Sequence, residues 1–212
     1  MNPLLSILAA ASLALAAAPT ETGFRPLFDG KTLTGWRPGD PRGGGFRVEN
    51  GMIVCVDGCG GKLLTEEEFD NFVLRLEYRI GPGGNNGVNI RAPYEGRPAY
   101  VGMEIQILDD NHEKWAKVRP EQRTGSIYDV FAARTGVARP PGEWNSLEVT
   151  ANGRRVTVNL NGSVVLDADL DTVRDEGILK KHPGLSRTGG HLGFLGHGTR
   201  TEFRNLRLKR LP

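Results

Sequence analysis

Three Asn-Gly pairs, each lying between two runs of alternating apolar and polar residues, constrain the fold of this chain more than any other feature. Both residue types tolerate the positive φ angles of the two-residue type I′ turns that close β-hairpins. Asn50-Gly51 lies between the first two runs, and Asn152-Gly153 and Asn161-Gly162 join three consecutive runs later in the chain. The sequence therefore predicts several antiparallel hairpins, the last three runs forming one meander.

The rest of the chain also favours strands. Helical periodicity is confined to short stretches near Thr65 and Thr172, and the chain contains 29 Gly and 13 Pro. Many short strands with turns between them indicate an all-β sandwich or jelly roll rather than an α/β fold. Further strands are predicted at Phe72–Ile80, Gly87–Arg91, Gly102–Leu108, His191–Gly196 and within the last eleven residues.

The first eighteen residues are apolar or small, carry no charged side chain and end in Ala16-Ala17-Ala18. This pattern is typical of a secretory signal peptide, with an uncleaved anchor as the alternative. We therefore predict a signal over 1–18, a periplasmic or secreted protein, and one β-sandwich domain over 19–212, a length that a single core can fill.

The charge and the cysteines narrow the possible partners. The 27 Lys and Arg residues nearly balance the 25 Asp and Glu residues, so neither nucleic acid nor, once the signal is removed, a membrane is an expected partner. Oligomeric state is left open. Cys55 and Cys59 are the only cysteines, and their spacing in an exported chain favours a local disulfide over a zinc site, which would need further ligands nearby.

Alternation divides four of the strands into an apolar face and a polar face. If these strands are neighbours, their polar residues form one floor. A merely solvated outer face is the alternative, but Glu, Gln, Asn, Arg and His are well suited to fixing hydroxyl groups by directional hydrogen bonds. The polar sets are Arg75, Glu77 and Arg79; Asn89 and Arg91; Glu104 and Gln106; and His191 and His197.

Loops around this floor offer further candidates. Asn85 and Asn86, in a glycine-rich segment, could reach a ligand or serve only as a turn. The acidic loop 109–113 could ligate a hard cation through oxygen atoms or simply be solvated. Tyr128 is one of several aromatic residues that could stack on a sugar ring.

The order of several segments resembles one family. The segments are LFDGKTLTGW, NFVLRLEYRI, NNGVNIR, GMEIQILDD, GSIYDV, PGEWNSLEVTANG and GGHLGFLGHGTRTEFRNLRLK. Over Phe24 to Leu211 the chain is similar to the 3-keto-disaccharide hydrolase domain family. The resemblance implies a concanavalin A-like jelly-roll sandwich of two antiparallel sheets and a carbohydrate substrate.

The resemblance also implies a chemistry. A separate enzyme first oxidises a glycoside at C3, and the resulting ketone acidifies the proton on C2. A base then removes that proton to form an enolate, the C1 substituent leaves by β-elimination, and water adds back if the net reaction is hydrolysis. Such a route needs a base near C2, an electrophile at the C3 oxygen and an acid at the leaving oxygen.

These roles are assigned to residues of the polar faces. His197 or Glu104 is the expected base, and both should lie on one concave sheet face within reach of a common sugar. Arg91, or a divalent ion held by Asp109 and Glu104, would stabilise the enolate; no other cofactor is indicated. The remaining substrate-binding candidates, some of them positioning hydroxyls, are Gln106, Asn86, Asn89, Glu77, His191 and Tyr128.

Two other functions remain open at this point. Conventional acid/base hydrolysis would use Glu104 with Glu77 or Asp109, although Gln106 occupies a position where a retaining glucanase of this fold would carry another acid. A non-catalytic carbohydrate-binding module or lectin would use the same floor without a competent base.

Overall fold

A computed structural model describes residues 22–39 and 45–212 of the chain. The signal sequence inferred at 1–18 lies outside the described residues, so the signal and the export that it implies stay predictions. Among the described residues, no helix is both long enough and apolar enough to span a bilayer.

Strands account for most of the regular secondary structure of the described chain, and its helices are short. The α-helices are α1 (Pro98–Val101) and α2 (Glu176–Lys181), and short 3₁₀ turns lie at Glu113–Trp115, Pro120–Gln122, Leu170–Thr172 and Pro183–Ser186. The strands are β1 (Arg25–Pro26), β2 (Trp36–Pro38), β3 (Phe46–Glu49), β4 (Met52–Cys55), β5 (Gly60–Phe69), β6 (Phe72–Ile80), β7 (Asn85–Ala92), β8 (Met103–Leu108), β9 (Asn145–Asn152), β10 (Arg155–Leu160), β11 (Ser163–Asp169), β12 (Gly190–His197) and β13 (Thr201–Arg210).

These strands form two antiparallel sheets, which confirms the predicted jelly-roll sandwich. The eight-stranded sheet has the order β11-β10-β9-β6-β13-β4-β3, with β1 also paired to β13, and the five-stranded sheet has the order β2-β5-β12-β7-β8. Each sheet also contains neighbours that are far apart in sequence, for example β6 beside β13 and β5 beside β12. Local hairpins alone therefore do not determine the fold.

The core lies between the sheets, where the apolar faces of the strands meet. Phe194 of β12 stacks on Phe203 of β13 with 3.8 Å between ring centroids, and on Trp36 of β2 with 5.7 Å. The stack joins the two sheets. Because side chains alternate along a strand, pointing Phe194 inward leaves Leu195 and His197 on the outer face of the five-stranded sheet.

The outer faces of the two sheets differ. In β6 the burial alternates residue by residue, as expected for a strand with one solvated face, and its outer residues form surface ion pairs. All six residues of β8 are buried. The outer face of the five-stranded sheet is therefore covered at its edge strand β8, although the β8 side chains on that face are polar.

The three predicted hairpins are present. Asn50 and Gly51 have φ angles of 49° and 76°, and Asn161 and Gly162 have 52° and 83°, as a type I′ turn requires. In the remaining hairpin Asn152 instead pairs with Arg155 as the last residue of β9. Its two-residue loop is Gly153-Arg154, and only Gly153 has a positive φ there.

The helix turn considered near Thr65 is wrong, because that segment belongs to β5. The hydroxyl of Thr65 explains why the chain stays extended where the pairing of β5 with β12 is irregular. Thr65 Oγ1 donates to Glu67 O at 2.7 Å and accepts from Leu192 N at 3.0 Å, which satisfies backbone groups that the shifted register leaves unpaired. The second predicted helix turn is α2, which begins at Glu176 and is capped by Asp175.

The prediction that Arg91 lies on the polar floor is wrong. Arg91 has a φ of 51°, and the register between β7 and β12 shifts beside it, so a bulge breaks the alternation at this point. Its guanidinium is buried and donates to the carbonyls of Asp70, Gly153 and Arg187 at 2.9 to 3.3 Å. Arg91 is therefore a structural residue that ties three loops together.

Arg91→Ala should lower the free energy of unfolding by about 3 kcal/mol, because several charge-assisted hydrogen bonds are lost and buried carbonyls are left without donors. Urea denaturation measures the change. Arg155→Ala is the control: it removes an exposed ion pair with Asp167 and should cost no more than about 1 kcal/mol. Equal effects of the two substitutions would contradict the structural role of Arg91.

Candidate functional site

The outer face of the five-stranded sheet brings together polar side chains from three adjacent strands. Glu104 of β8 lies opposite Asn89 of β7, which lies opposite Gly193 of β12. In the next row Gln106 lies opposite Gly87, which lies opposite Leu195. Sequence alternation predicted that Asn89, Glu104 and Gln106 share a face, and the pairing of β7 with β8 places them side by side.

Glu104 is the buried acid of this face. It is 2% exposed, and its side chain lies over Gly87, where a Cβ atom would overlap its carboxylate. Its Oε1 atom is 3.9 Å from Nε2 of His197, whose side chain is 30% exposed. Burial raises the pKa of the Glu104 carboxyl above its ordinary value, and the neighbouring His197 offsets only part of this shift.

Several polar atoms around Glu104 have no hydrogen-bond partner among the described residues. They are both amide atoms of Asn89, Oε1 of Gln106 and Oε1 of Glu104 itself. Asn89 is fully buried, and Gln106 is 3% exposed. Because buried polar atoms in folded proteins are nearly always hydrogen-bonded to protein, water or ligand, this cluster is suited to a hydroxyl-rich molecule.

An open pocket of about 530 Å³ lies over the end of β12 that carries His197. Leu195 forms part of its floor, Lys62 and Arg97 stand at its sides, and four glycines complete the lining. Lys62 donates from Nζ to the carbonyls of Tyr94 and Gly96, so it holds the loop before α1 in place. The Arg97 side chain forms no hydrogen bond or ion pair with the described residues and packs over the ring of Tyr100.

The predicted disulfide is present between Cys55 and Cys59, and it supports the strand that carries His197. A Cβ atom on Gly196 would lie 2.7 Å from both sulfur atoms, so only glycine fits between the disulfide and β12. The backbone is tied as well: Gly198 N donates to Cys59 O at 2.6 Å, and Gly58 N donates to Gly198 O at 2.9 Å. His197 therefore projects from a backbone segment that the disulfide and these hydrogen bonds hold in place.

Tyr128 lies beside the site at the edge of the sheet. Its backbone N–H donates to Glu104 O at 2.8 Å, and its hydroxyl accepts from Gln122 Nε2 at 3.1 Å. Gln106 Nε2 in turn donates to Gln122 O at 3.3 Å. The segment before and after Tyr128 thus covers the β8 edge, which explains why Glu104 and Gln106 are buried.

Two other substrate-binding candidates lie elsewhere. Asn86 was expected in a glycine-rich loop within reach of a ligand, but it lies in β7 on the core-facing side, opposite Gly196, with its Oδ1 accepting from Gly87 N at 2.9 Å. His191 is on the outer face but six residues before His197. Its ring is covered by Tyr94 at 3.8 Å between centroids and contacts Glu68, so it does not line the pocket of His197.

The assignments of Glu77 and Asp109 to this site are also wrong. Glu77 is on β6, in the opposite sheet, where it accepts from Arg204 and Asn205 at 2.7 and 2.8 Å. Asp109 follows β8 five residues after Glu104, about 17 Å along an extended strand. The two carboxylates cannot share an ion, and no group of three His, Cys, Asp or Glu side chains suited to a metal occurs among the described residues.

Sequence reasoning missed Lys62, Arg97 and the covering role of Tyr94. These residues come from β5 and from the loop before α1, neither of which shows the alternating pattern that identified the floor. Their positions depend on how that loop folds back over the sheet, and only the Tyr-Glu-Gly-Arg-Pro turn composition of 94–98 marks it as a candidate.

A sandwich of two antiparallel sheets with this strand order belongs to the class of concanavalin-like jelly-roll proteins. Within that class, residues 23–209 match the model of the 3-keto-alpha-glucoside-1,2-lyase-like domain. The chain belongs to this family. A protein of Bacteroides thetaiotaomicron named 3-keto-disaccharide hydrolase is 31% identical over 226 residues, covering 88% of this chain and 78% of that protein.

Solved structures agree with this membership. A protein of Parabacteroides distasonis, provisionally named a glycosyl hydrolase, is 28% identical with a TM-score of 0.77, covering 89% of this chain and 99% of its own. The carbohydrate-binding module CBM66 of Bacillus subtilis has a TM-score of 0.55 at 14% identity, covering 82% of this chain and 95% of its own, which shows a shared fold.

The raised pKa of Glu104 predicts a pH-dependent gain in stability for Glu104→Gln. A carboxyl whose pKa is higher in the folded state favours folding when protonated and opposes it when ionised. The variant should therefore gain free energy of unfolding relative to the parent as pH rises above the ordinary pKa of 4.5, up to the raised pKa of the folded state. Urea denaturation from pH 4 to 8 measures the difference. A constant difference over this range would contradict the shift.

Gly87→Ala tests whether the Glu104 side chain needs the space above Gly87. The added methyl group overlaps the carboxylate, and overpacking of this kind typically costs about 1–3 kcal/mol. Gly60→Ala is the matched control, because a Cβ atom there meets nothing within 4 Å. Thermal or urea unfolding of both variants should show a loss only for Gly87→Ala; equal stabilities would place Glu104 elsewhere.

Proposed function

We propose that this protein cleaves the glycosidic bond of 3-keto-glycosides or 3-keto-disaccharides by removal of the C2 proton and β-elimination, followed by hydration. The pairing of a buried Glu104 with His197 at 3.9 Å, next to the open pocket that His197 lines, carries this proposal. The family membership and the named hydrolase among its relatives support a glycoside-acting enzyme. The proposal of an elimination mechanism rests on the geometry of Glu104 and His197.

The separation of the two groups suits an elimination. The proton that is lost is on C2 and the bond that breaks is on C1, so the base and the acid serve neighbouring carbons of one ring. Two groups about 4 Å apart can reach both. Carboxylate pairs for conventional hydrolysis lie about 5–5.5 Å apart in retaining enzymes and farther apart in inverting ones.

Each group has a role that fits its surroundings. His197, at the mouth of the pocket, takes the C2 proton as a neutral imidazole. Glu104, whose raised pKa keeps its carboxyl protonated to higher pH, gives its proton to the oxygen leaving C1. The electron pair of the C2–H bond forms the enolate, which then collapses to a C1=C2 double bond and restores the C3 ketone.

The enolate oxygen needs a hydrogen-bond donor. Arg91 cannot supply one, because its guanidinium is buried and bonded to backbone carbonyls. Arg97 lines the pocket, is exposed, and has no ion pair among the described residues, so it replaces Arg91 in this role. Asn89 and Gln106 have unpartnered amide atoms that can hold sugar hydroxyls. Hydration then adds water across the double bond, with OH at C1 and H at C2.

Conventional two-carboxylate hydrolysis has less support. Its second acid was expected at Glu77 or Asp109, and neither lies near Glu104. Gln106 shares the face with Glu104, but an amide can neither protonate a leaving group nor act as the nucleophile.

The proposal includes the setting of the reaction. The ketone must be installed by a separate enzyme that oxidises the glycoside at C3. The signal sequence inferred at 1–18 would place the cleavage in the periplasm or outside the cell. Detection of the mature chain, beginning after Ala18, in a periplasmic or culture fraction tests this location.

His197→Ala and Glu104→Gln should each reduce kcat on a 3-keto-glycoside by about a hundredfold to ten-thousandfold, the usual effect of losing a general acid or base. Sugar affinity should change little. His112→Ala, which removes a histidine from a distant loop, is the control. If His197→Ala retains turnover within about threefold of the parent, its deficit is far below that range and His197 is not the base. Loss of affinity alone would indicate a lectin.

The reaction in D₂O separates elimination from direct hydrolysis. Elimination and hydration place deuterium on C2 of the released 3-keto sugar, whereas direct hydrolysis leaves that hydrogen in place. Product incubated without enzyme measures spontaneous exchange. Unoxidised parent glycosides should not be cleaved, since their C2 proton is not acidic, and parallel reactions with chelator test for a metal. Cleavage of the parents without C2 exchange would refute the mechanism.

A further inference from the structure

A second cavity, of about 430 Å³, lies at the end of the sandwich beyond β8. Tyr78 and Ile80 of β6 line one side, and Asp109 and Asp110, which follow β8, line another. The segment from Thr135 to Pro141 closes it. The cavity shares no lining residue with the pocket of His197, and its volume is in the range of small-molecule sites.

Tyr78 is the unusual group in this cavity. It is 1% exposed and lines the cavity, so its hydroxyl is a polar group that a small molecule in the cavity could contact. Burial, with a smaller contribution from the charge of Asp110, raises the pKa of Tyr78, so the hydroxyl keeps its proton and is available as a donor.

The charged groups of the lining balance. Asp109, Asp110, Arg123 and Arg139 all line the cavity. Each has other contacts that hold it in place: Asp109 Oδ2 accepts from Gly83 N, Asp110 accepts from Thr124 N, Arg123 donates to Asp110 O, and Arg139 donates to Trp144 O. Each also has remaining donors or acceptors. Two guanidinium groups disfavour a cation and two carboxylates disfavour an anion, which leaves a neutral, hydroxyl-rich ligand.

Apolar surface completes the cavity. Ile80, Leu108, Ala138, Pro140 and Pro141 contribute it. Sugars combine hydroxyl groups with patches of C–H, and a site that offers both kinds of contact matches them. We propose that this cavity is a second carbohydrate site, which binds one neutral monosaccharide unit and takes no part in the cleavage.

The proposal does not depend on the cleavage chemistry. The cavity is about 17 Å along β8 from Glu104, and Tyr78 points into the sandwich rather than toward the outer face. Loss of sugar binding in this cavity should therefore leave turnover unchanged, and a failed activity assay should leave this binding unchanged.

Two-dimensional amide NMR during titration with glucose, galactose and mannose tests the site. At least one sugar should shift the amides of residues 109–111 and 135–139 in a saturable way. Tyr78→Phe, which removes only the hydroxyl, should weaken this binding about fivefold, the effect of one lost hydrogen bond. Glu104→Gln is the control and should leave the shifts of these residues intact.

Asp110→Asn provides a second variant, because the amide oxygen can still accept from Thr124 N while the charge is lost; it should also weaken binding. An unchanged thermal midpoint for each variant shows that the fold is retained. The proposal is overturned if no sugar shifts these amides up to its solubility limit, or if both variants bind as tightly as the parent.

Discussion

The stack of Phe194 on Phe203, with 3.8 Å between ring centroids, is the contact on which the candidate site depends. It joins the centre of the five-stranded sheet to the centre of the eight-stranded sheet and fixes which way β12 faces. Once Phe194 points into the core, His197 must point out, and Gly196 must point in against the disulfide of Cys55 and Cys59. Core packing thus sets the direction of the residue that meets Glu104.

The burial of the outer face of the five-stranded sheet at β8 determines the environment in which Glu104 meets His197. β6 and β8 both carry charged side chains on their outer faces, but those of β6 are partly exposed and form ion pairs, whereas Glu104 is 2% exposed. Removing a carboxylate from water disfavours its charged form and raises its pKa. Glycine at position 87 leaves room for the Glu104 side chain. Burying this carboxylate lowers the stability of the folded protein. Such local costs are common at functional sites.

Family membership and site geometry contribute different parts of the functional conclusion. Membership in the 3-keto-alpha-glucoside-1,2-lyase-like family names the kind of chemistry. The geometry limits which residues can perform it, since only Glu104 and His197 among the candidate acids and bases come within 3.9 Å of each other. The burial of Arg91 at a bulge shows how much a role assigned by resemblance depends on the local backbone.

Alternation and turn chemistry in the sequence determined the strands, the hairpins, the disulfide and the shared face of Asn89, Glu104 and Gln106, because these are short-range properties of an extended chain. Glu77, Arg91 and Glu104 have the same alternating surroundings in sequence, yet only Glu104 belongs to the site. Glu77 lies in the other sheet, and a bulge turns Arg91 inward. Sheet membership, bulges and the loop that covers the floor arise from pairing between distant segments, so only the tertiary structure decided which polar face became a buried site.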